Sequence, residues 1–189
     1  MSSPAELLRR HRYTLDDYHR MGEAGIFHED SRVELIEAEI VDMTPIGSRH
    51  ASVVARLSRT LTLAVGDGAL VWTQNPVVLG ETSEPQPDIA LLGQRHDFYA
   101  NALPGPTDVL LLIEVADTSI RYDRDIKMPL YARHGIPEVW LIDLESDSLM
   151  TYRDPSGNGY RVVVGPGNLQ AVAVPGLEGV TVDLSALFS

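Results

Sequence analysis

Five consecutive residues, Val109-Leu110-Leu111-Leu112-Ile113, form the most apolar run of the chain, and Glu114 follows them directly. A run of this kind has no polar face. It fits a central strand covered on both sides, the environment of strands in α/β proteins. Whatever the chain folds into must place a sheet around this segment and helices against it.

The flanking sequence supplies candidates for those layers. Tyr13-Thr14-Leu15-Asp16-Asp17-Tyr18 reads as a helix start, with Thr14 as N-cap and two acids in the first turn, and the helix should end near Gly22 or Gly25. Val33 to Ile36 and Glu39 to Met43 alternate as two short strands. Between them Glu37-Ala38 is a weak turn sequence, lacking Gly or Asn. From His50 to Val65 the apolar residues Val53, Val54, Leu57, Leu61 and Val65 fall at helical spacing. Leu70 to Trp72 and Pro76 to Leu79 read as an interrupted strand. Glu84-Pro85-Gln86-Pro87 keeps the chain extended into a short buried strand, Asp88 to Leu92. Arg121 to His134 should be a helix, with Pro129 kinking it or marking its first turns, and Glu138 to Asp143 another buried strand. Gly, Pro and Asn divide Ser148 to Ser189 into short strands, expected as hairpins on an edge of the sheet. The order predicts an α/β fold: an α+β mixed sheet with helices packed on it and hairpins at both ends.

With 189 residues, 44% of them hydrophobic, the chain is expected to form one domain over residues 13–189 behind a polar lead-in, 1–12. No apolar segment follows Arg9, Arg10 and Arg12, so a secretory signal is not expected. No run approaches the ~20 apolar residues of a membrane helix. The absence of cysteine excludes thiolate zinc sites, disulfides and cysteine nucleophiles, and fits a reducing cytoplasm. A formal net charge of −12 argues against a broad nucleic-acid-binding surface, though not against a small metal-centred site in which cations offset carboxylates.

Two carboxylates stand out. Asp88 opens a strand after Pro87, and Glu114 closes the apolar run. An acid beside such a run must be solvated, paired or bound to metal. If the two strands are neighbours, Asp88 and Glu114 can share a hard cation such as Mg²⁺. The plain alternative is that each acid ends its strand in solvent. Lys127 is the natural cationic partner: Asp123, Lys127, Tyr131 and His134 fall on one helical stripe. A lysine there can stabilise charge on a phosphate, or simply be an exposed residue paired with Asp123. Glu34, Glu37 and Glu39 form a third acidic group, by default a solvated hairpin, from which Glu34 can reach the site if the hairpin packs beside the strand ends. His50 opens a helix, where a cap or surface role competes with contact to a phosphate. No Walker loop, dinucleotide fingerprint, metal-spaced histidine pair or nucleophile elbow is present.

Taken together, Pro87-Asp88, Ile113-Glu114-Val115 and Lys127 on a following helix resemble the PD-(D/E)XK nuclease superfamily. The closer resemblance is to its Uma-two family. It is carried by Tyr13 to Tyr18, Val33 to Ile36, Gly47-Ser48-Arg49-His50, Pro85 to Ala90, Asp123 to Lys127 and Tyr131 to Asp143, in order over nearly the whole chain. The resemblance implies a restriction-endonuclease-like core in which Asp88 and Glu114, with the carbonyl of Val115, hold Mg²⁺ or Mn²⁺. It also implies that Lys127 takes the catalytic lysine role and that the substrate is DNA. Two positions depart from the pattern. Ala116 stands where the lysine two residues after the glutamate usually falls, so that role must migrate to Lys127. Ala38 replaces the usual hairpin glycine.

The leading expectation is therefore a metal-dependent endonuclease acting on DNA. Glu34, Asp88, Glu114 and Lys127 are its catalytic candidates and His50 a substrate contact, and a homodimer is plausible for cutting two strands. Two rival expectations stay open: a nuclease-fold binding or assembly protein without turnover, and a hydrolase of a small phosphorylated substrate.

Overall fold

The computed structural model describes residues 10–28 and 30–189. Most of the expected lead-in therefore lies outside the described residues. The elements run α1 (Leu15–Glu23), β1 (Val33–Ile36), β2 (Glu39–Asp42), α2 (Ser48–Val65), β3 (Leu70–Thr73), β4 (Ile89–Leu92), β5 (Val109–Ala116) and α3 (Ile120–Tyr122). After a π-helical turn, Asp123–Lys127, come α4 (Met128–Arg133), β6 (Glu138–Asp143), β7 (Ser148–Ser156), β8 (Gly159–Val164), β9 (Val172–Ala173) and β10 (Thr181–Val182).

Six strands form a mixed sheet in the order β3-β4-β5-β6-β7-β8. Only β5 and β6 pair in parallel, joined by the crossover through α3 and α4; every other neighbour is antiparallel. The apolar run of β5 is central and buried along nearly all its length. The expected mixed α/β architecture is what the chain adopts.

The two sides of the sheet follow the period of two along each strand. Ile89, Leu91, Leu111, Ile113, Trp140 and Ile142 face α2, which brings Val53, Val54, Leu57, Leu61 and Val65 against them. Ala90, Leu92, Leu112 and Val139 face the other way, toward Met128, Leu130 and Tyr131 of α4 and Ile36 of β1. Glu114 shares the parity of Leu112, so its side chain belongs to the α4 side.

Local sequence accounts for most boundaries. Thr14 and Asp17 form a reciprocal capping box at α1, with Asp17 N–H donating to Thr14 Oγ1 at 3.1 Å and Thr14 N–H donating to Asp17 Oδ2 at 3.0 Å. The β1–β2 turn is made by Glu37 and Ala38 with φ of 49° and 66°, the left-handed pair of a tight hairpin turn, here without the residues that favour it. Arg133 of α4 reaches Glu37 at 2.5 Å and ties that turn to the helix.

Pro129 explains the π turn. It has no N–H for the carbonyl of Asp125, and its ring would crowd that carbonyl in a regular helix. The chain widens instead, and Met128 N–H donates to Asp123 O, five residues back.

Several expectations are corrected. Glu114 does not close its strand: β5 continues to Ala116, so the acid lies inside a buried strand. Pro76 to Leu79 is not a strand. Val77, Val78 and Leu79 donate to Pro85, Pro104 and Ser83 in an irregular extended loop, with Val77 and Leu79 fully buried. Of the C-terminal segment, β7 and β8 extend the sheet at its edge as expected. The β9–β10 pair forms a separate small sheet that places Val172 and Val182 in the α2 layer, because those valines, unlike the β8 edge, find an apolar surface there.

Candidate active site

The register of β4 and β5 pairs Ile89 with Ile113, so Asp88 and Glu114, the next residues outward, stand opposite one another on adjacent strands. Asp88 is anchored there: its Oδ2 accepts from Val115 N–H at 2.9 Å, and its Oδ1 accepts from Gln74 Nε2 at 3.3 Å. The extended Pro85-Gln86-Pro87 arm delivers it to this place.

Glu114 is 3% exposed. Its Oε1 accepts from Lys127 Nζ at 3.3 Å and from the hydroxyl of Tyr131. Both bonds fall on Oε1, which leaves Oε2 without a partner among the described residues. Burial pushes Glu114 up to about 8, against the pull of Lys127, with Asp123 and Asp88 adding like charge.

Lys127 comes from the π turn and is buried, not exposed, and its partners are Glu34 at 3.1 Å and Glu114 at 3.3 Å. The simple surface pair with Asp123 is thus corrected. Burial disfavours its charged form, but Glu114, Glu34 and Asp123 outweigh that and hold it well above its usual range, so it is an ammonium at neutral pH. Asp123, also buried, accepts from Ser119 Oγ at 2.6 Å and is raised by desolvation.

Glu34 leaves the solvated hairpin expected for its cluster. It is 3% exposed and points from β1 to Lys127, while Glu37 and Glu39 stay exposed. His50 neither caps α2 nor lies on the surface. The N-cap is Gly47, and His50 Nε2 sits 3.1 Å from the Asp88 carboxylate. That hydrogen bond raises its pKa against the effect of burial, while Nδ1 is buried without a partner.

Glu34, His50, Asp88, Glu114, Asp123 and Lys127 line one cavity of about 480 Å³ between β1–β2, the start of α2, the ends of β4 and β5 and the Asp117–Lys127 segment. Its lining carries six carboxylates (Glu34, Asp42, Asp88, Glu114, Asp117, Asp123) against Arg32 and Lys127. Sequence reasoning passed over Tyr131, Asp123 and Gln86 as site residues. The stripe Asp123, Lys127, Tyr131 contained the signal, but nothing in it said that Tyr131 would turn its hydroxyl to Glu114. His134, on the same stripe, is not brought to the cavity.

The donor set suits a hard cation. Asp88 and Glu114 offer carboxylate oxygens, with Val115 on the same wall. Among the described residues no three His, Asp or Glu side chains form a cage for an ion. Mg²⁺ does not require one, since it is commonly held by one or two carboxylates with waters and substrate phosphate completing its shell. The residues present therefore fit Mg²⁺ or Mn²⁺, whose charge would also bring Glu114 down toward the ionised form.

The model of the Uma2 family, described as "putative restriction endonuclease", matches residues 15–185. The chain belongs to this family. The Uma2 chain is also similar to a solved structure from Anabaena variabilis, described as "a putative nuclease belonging to DUF820". The TM-score is 0.71 at 17% identity, over 93% of this chain and 97% of that one. At that identity the likeness establishes the fold, which the Uma2 match independently supports. No curated protein matches the chain. No described helix is long and apolar enough to cross a membrane.

Proposed function

We propose that this chain is a metal-dependent endonuclease that hydrolyses DNA phosphodiester bonds, with residues 13–189 acting as one nuclease domain. The observation that carries the reading is the convergence of Asp88, Glu114 and Lys127, from two strands and a helix, on one cavity. The Uma2 membership and the nuclease description of the Anabaena variabilis structure support it.

Asp88 and Glu114, with the Val115 carbonyl, are the residues to hold Mg²⁺ or Mn²⁺. When bound, such an ion supplies Lewis acidity and a nucleophilic water. The chain's own groups do the rest. Lys127, kept charged by its acidic neighbours, donates to a phosphate oxygen and stabilises the charge that builds there. His50, held by Asp88 through Nε2, lines the cavity and is the candidate substrate contact. Arg32 adds positive charge to an otherwise acidic wall. As a cytoplasmic homodimer the enzyme would present two such cavities to the two strands of a duplex.

The test is cleavage of single- and double-stranded DNA with Mg²⁺ and Mn²⁺. Activity that is lost in Asp88→Ala supports the reading; equal activity in that variant removes the site. A second reading, a nuclease-fold binding or assembly protein without turnover, draws on the net charge of −12 and the six-to-two excess of acids in the cavity. It predicts no metal-dependent heat in calorimetry and no cleavage of any polymer.

A further inference from the structure

Glu34 is the residue whose part in this cavity is least like that of the other acids. Its Oε2 has two partners at once. It is ion-paired with Lys127 Nζ at 3.1 Å, and it accepts a hydrogen bond from the backbone N–H of Gln86 at 3.2 Å. Gln86 lies between Pro85 and Pro87, neither of which has an N–H, so this is the single backbone donor of the arm that leads to Asp88. The strand carrying Glu34 is also tied to the residue just before that arm, with Glu84 N–H donating to Leu35 O at 2.7 Å.

From this geometry we infer that Glu34 is a positioning residue and not a cation ligand: it holds the Lys127 ammonium and the Asp88 arm in fixed relation to each other. The inference rests on the nuclease reading of the cavity and assigns Glu34 its place in it. The Glu34 oxygen that holds the ammonium and the amide can turn to a second cation only by releasing both. Glu114 also gives one oxygen to Lys127, but it stands opposite Asp88 on the adjacent strand, whereas Glu34 stands on β1, outside that pair, and is bonded to the arm instead. By holding Lys127 on one side and Gln86 on the other, Glu34 sets the distance between the charge that stabilises the phosphate and the carboxylate that anchors the metal. Preorganised charge of this kind acts on the transition state more than on substrate binding.

The test uses the full chain. In Glu34→Gln the amide oxygen still accepts, but the charge that pins Lys127 is gone. Expected is a fall in kcat of about 100-fold with KM little changed. An unchanged kcat overturns the inference, because Glu34 then only fills space. Metal affinity is read separately, by Mn²⁺ calorimetry on the double variant Glu34→Gln, Lys127→Met, in which the local charge balance of the wild type is kept. It is expected to bind Mn²⁺ within about threefold of wild type. A loss of about tenfold or more makes Glu34 a ligand and overturns the inference. Both charges of the pair are removed together, so this variant also keeps the test alive if the single one fails to fold. Wild type that binds no Mn²⁺ overturns the metal-site reading along with this one; wild type that binds, beside a double variant that does not, sinks this inference alone.

Discussion

Lys127 Nζ lies 3.1 Å from Glu34 Oε2, with both side chains no more than 5% exposed. A buried ion pair like this adds little net stability relative to a well-packed apolar pair, but breaking it is expensive, since one charge is left without a partner in the interior. Lys127→Met should therefore destabilise the fold by about 3 kcal/mol, and adding Glu34→Gln should return part of that loss. Urea unfolding of the two single variants and the double variant in the presence of a chelator measures both. Additive losses would show that the two side chains do not depend on one another.

Glu114 makes stability depend on pH in a set direction. Its carboxyl is raised by burial from 4.5 to about 8, so between those values the unfolded chain gives up its proton before the folded chain does. Stability relative to a Glu114→Gln variant should fall as pH rises through that window, be constant below it, and level off above it. The full change should be on the order of 5 kcal/mol, the attraction of Lys127 being already part of the shift. Metal-free unfolding of both proteins from pH 4 to pH 9 gives the difference curve, and a flat curve excludes the shift.

Ala38 sits in a left-handed turn at φ 66° with its side chain buried. The residue that suits such a position is glycine, and the methyl group works against the backbone. Ala38→Gly should raise stability by about 1 kcal/mol, less whatever packing the methyl provides. The shift in the thermal midpoint reports the balance.

Gly176 shows the opposite case. It has φ +76°, and a Cβ there would lie 2.9 Å from Leu110 Cδ2, on the central strand. Gly176→Ala should cost about 1–3 kcal/mol through combined backbone strain and overpacking. Stability equal to wild type would mean that the C-terminal turn moves freely against β5.

The sequence was most legible where one local rule decides the outcome. Thr14 and Asp17 spell out a capping box, Val53 to Val65 a helix face, and Val109 to Ile113 a central strand, and each forms as those rules require. It was less legible where a residue's fate depends on what packs beside it from elsewhere. Pro76 to Leu79 has strand composition, yet no described strand lies alongside to pair with it, and its N–H groups go to Ser83 and Pro85 further along the same connection and to Pro104 in the β4–β5 loop. Of three glutamates in one hairpin, only Glu34 is buried, and that follows from where the helix carrying Lys127 comes to lie, 93 residues downstream. The contact of Tyr131 with Glu114 was hidden for the same reason. The cap or surface alternative for His50 fails because α2 starts at Ser48 with Gly47 as its N-cap, and the imidazole lies inward against Asp88.

The wide turn at Asp123–Lys127 amounts to one surplus residue spliced into a helical segment. Deleting any single residue there would restore an even winding and rotate Asp123 and everything before it out of phase with Lys127 and Tyr131. Homologous chains should thus tolerate many side-chain exchanges on the outer surface of this segment but hold its length constant, a spacing rule that no residue-by-residue comparison of identities would reveal.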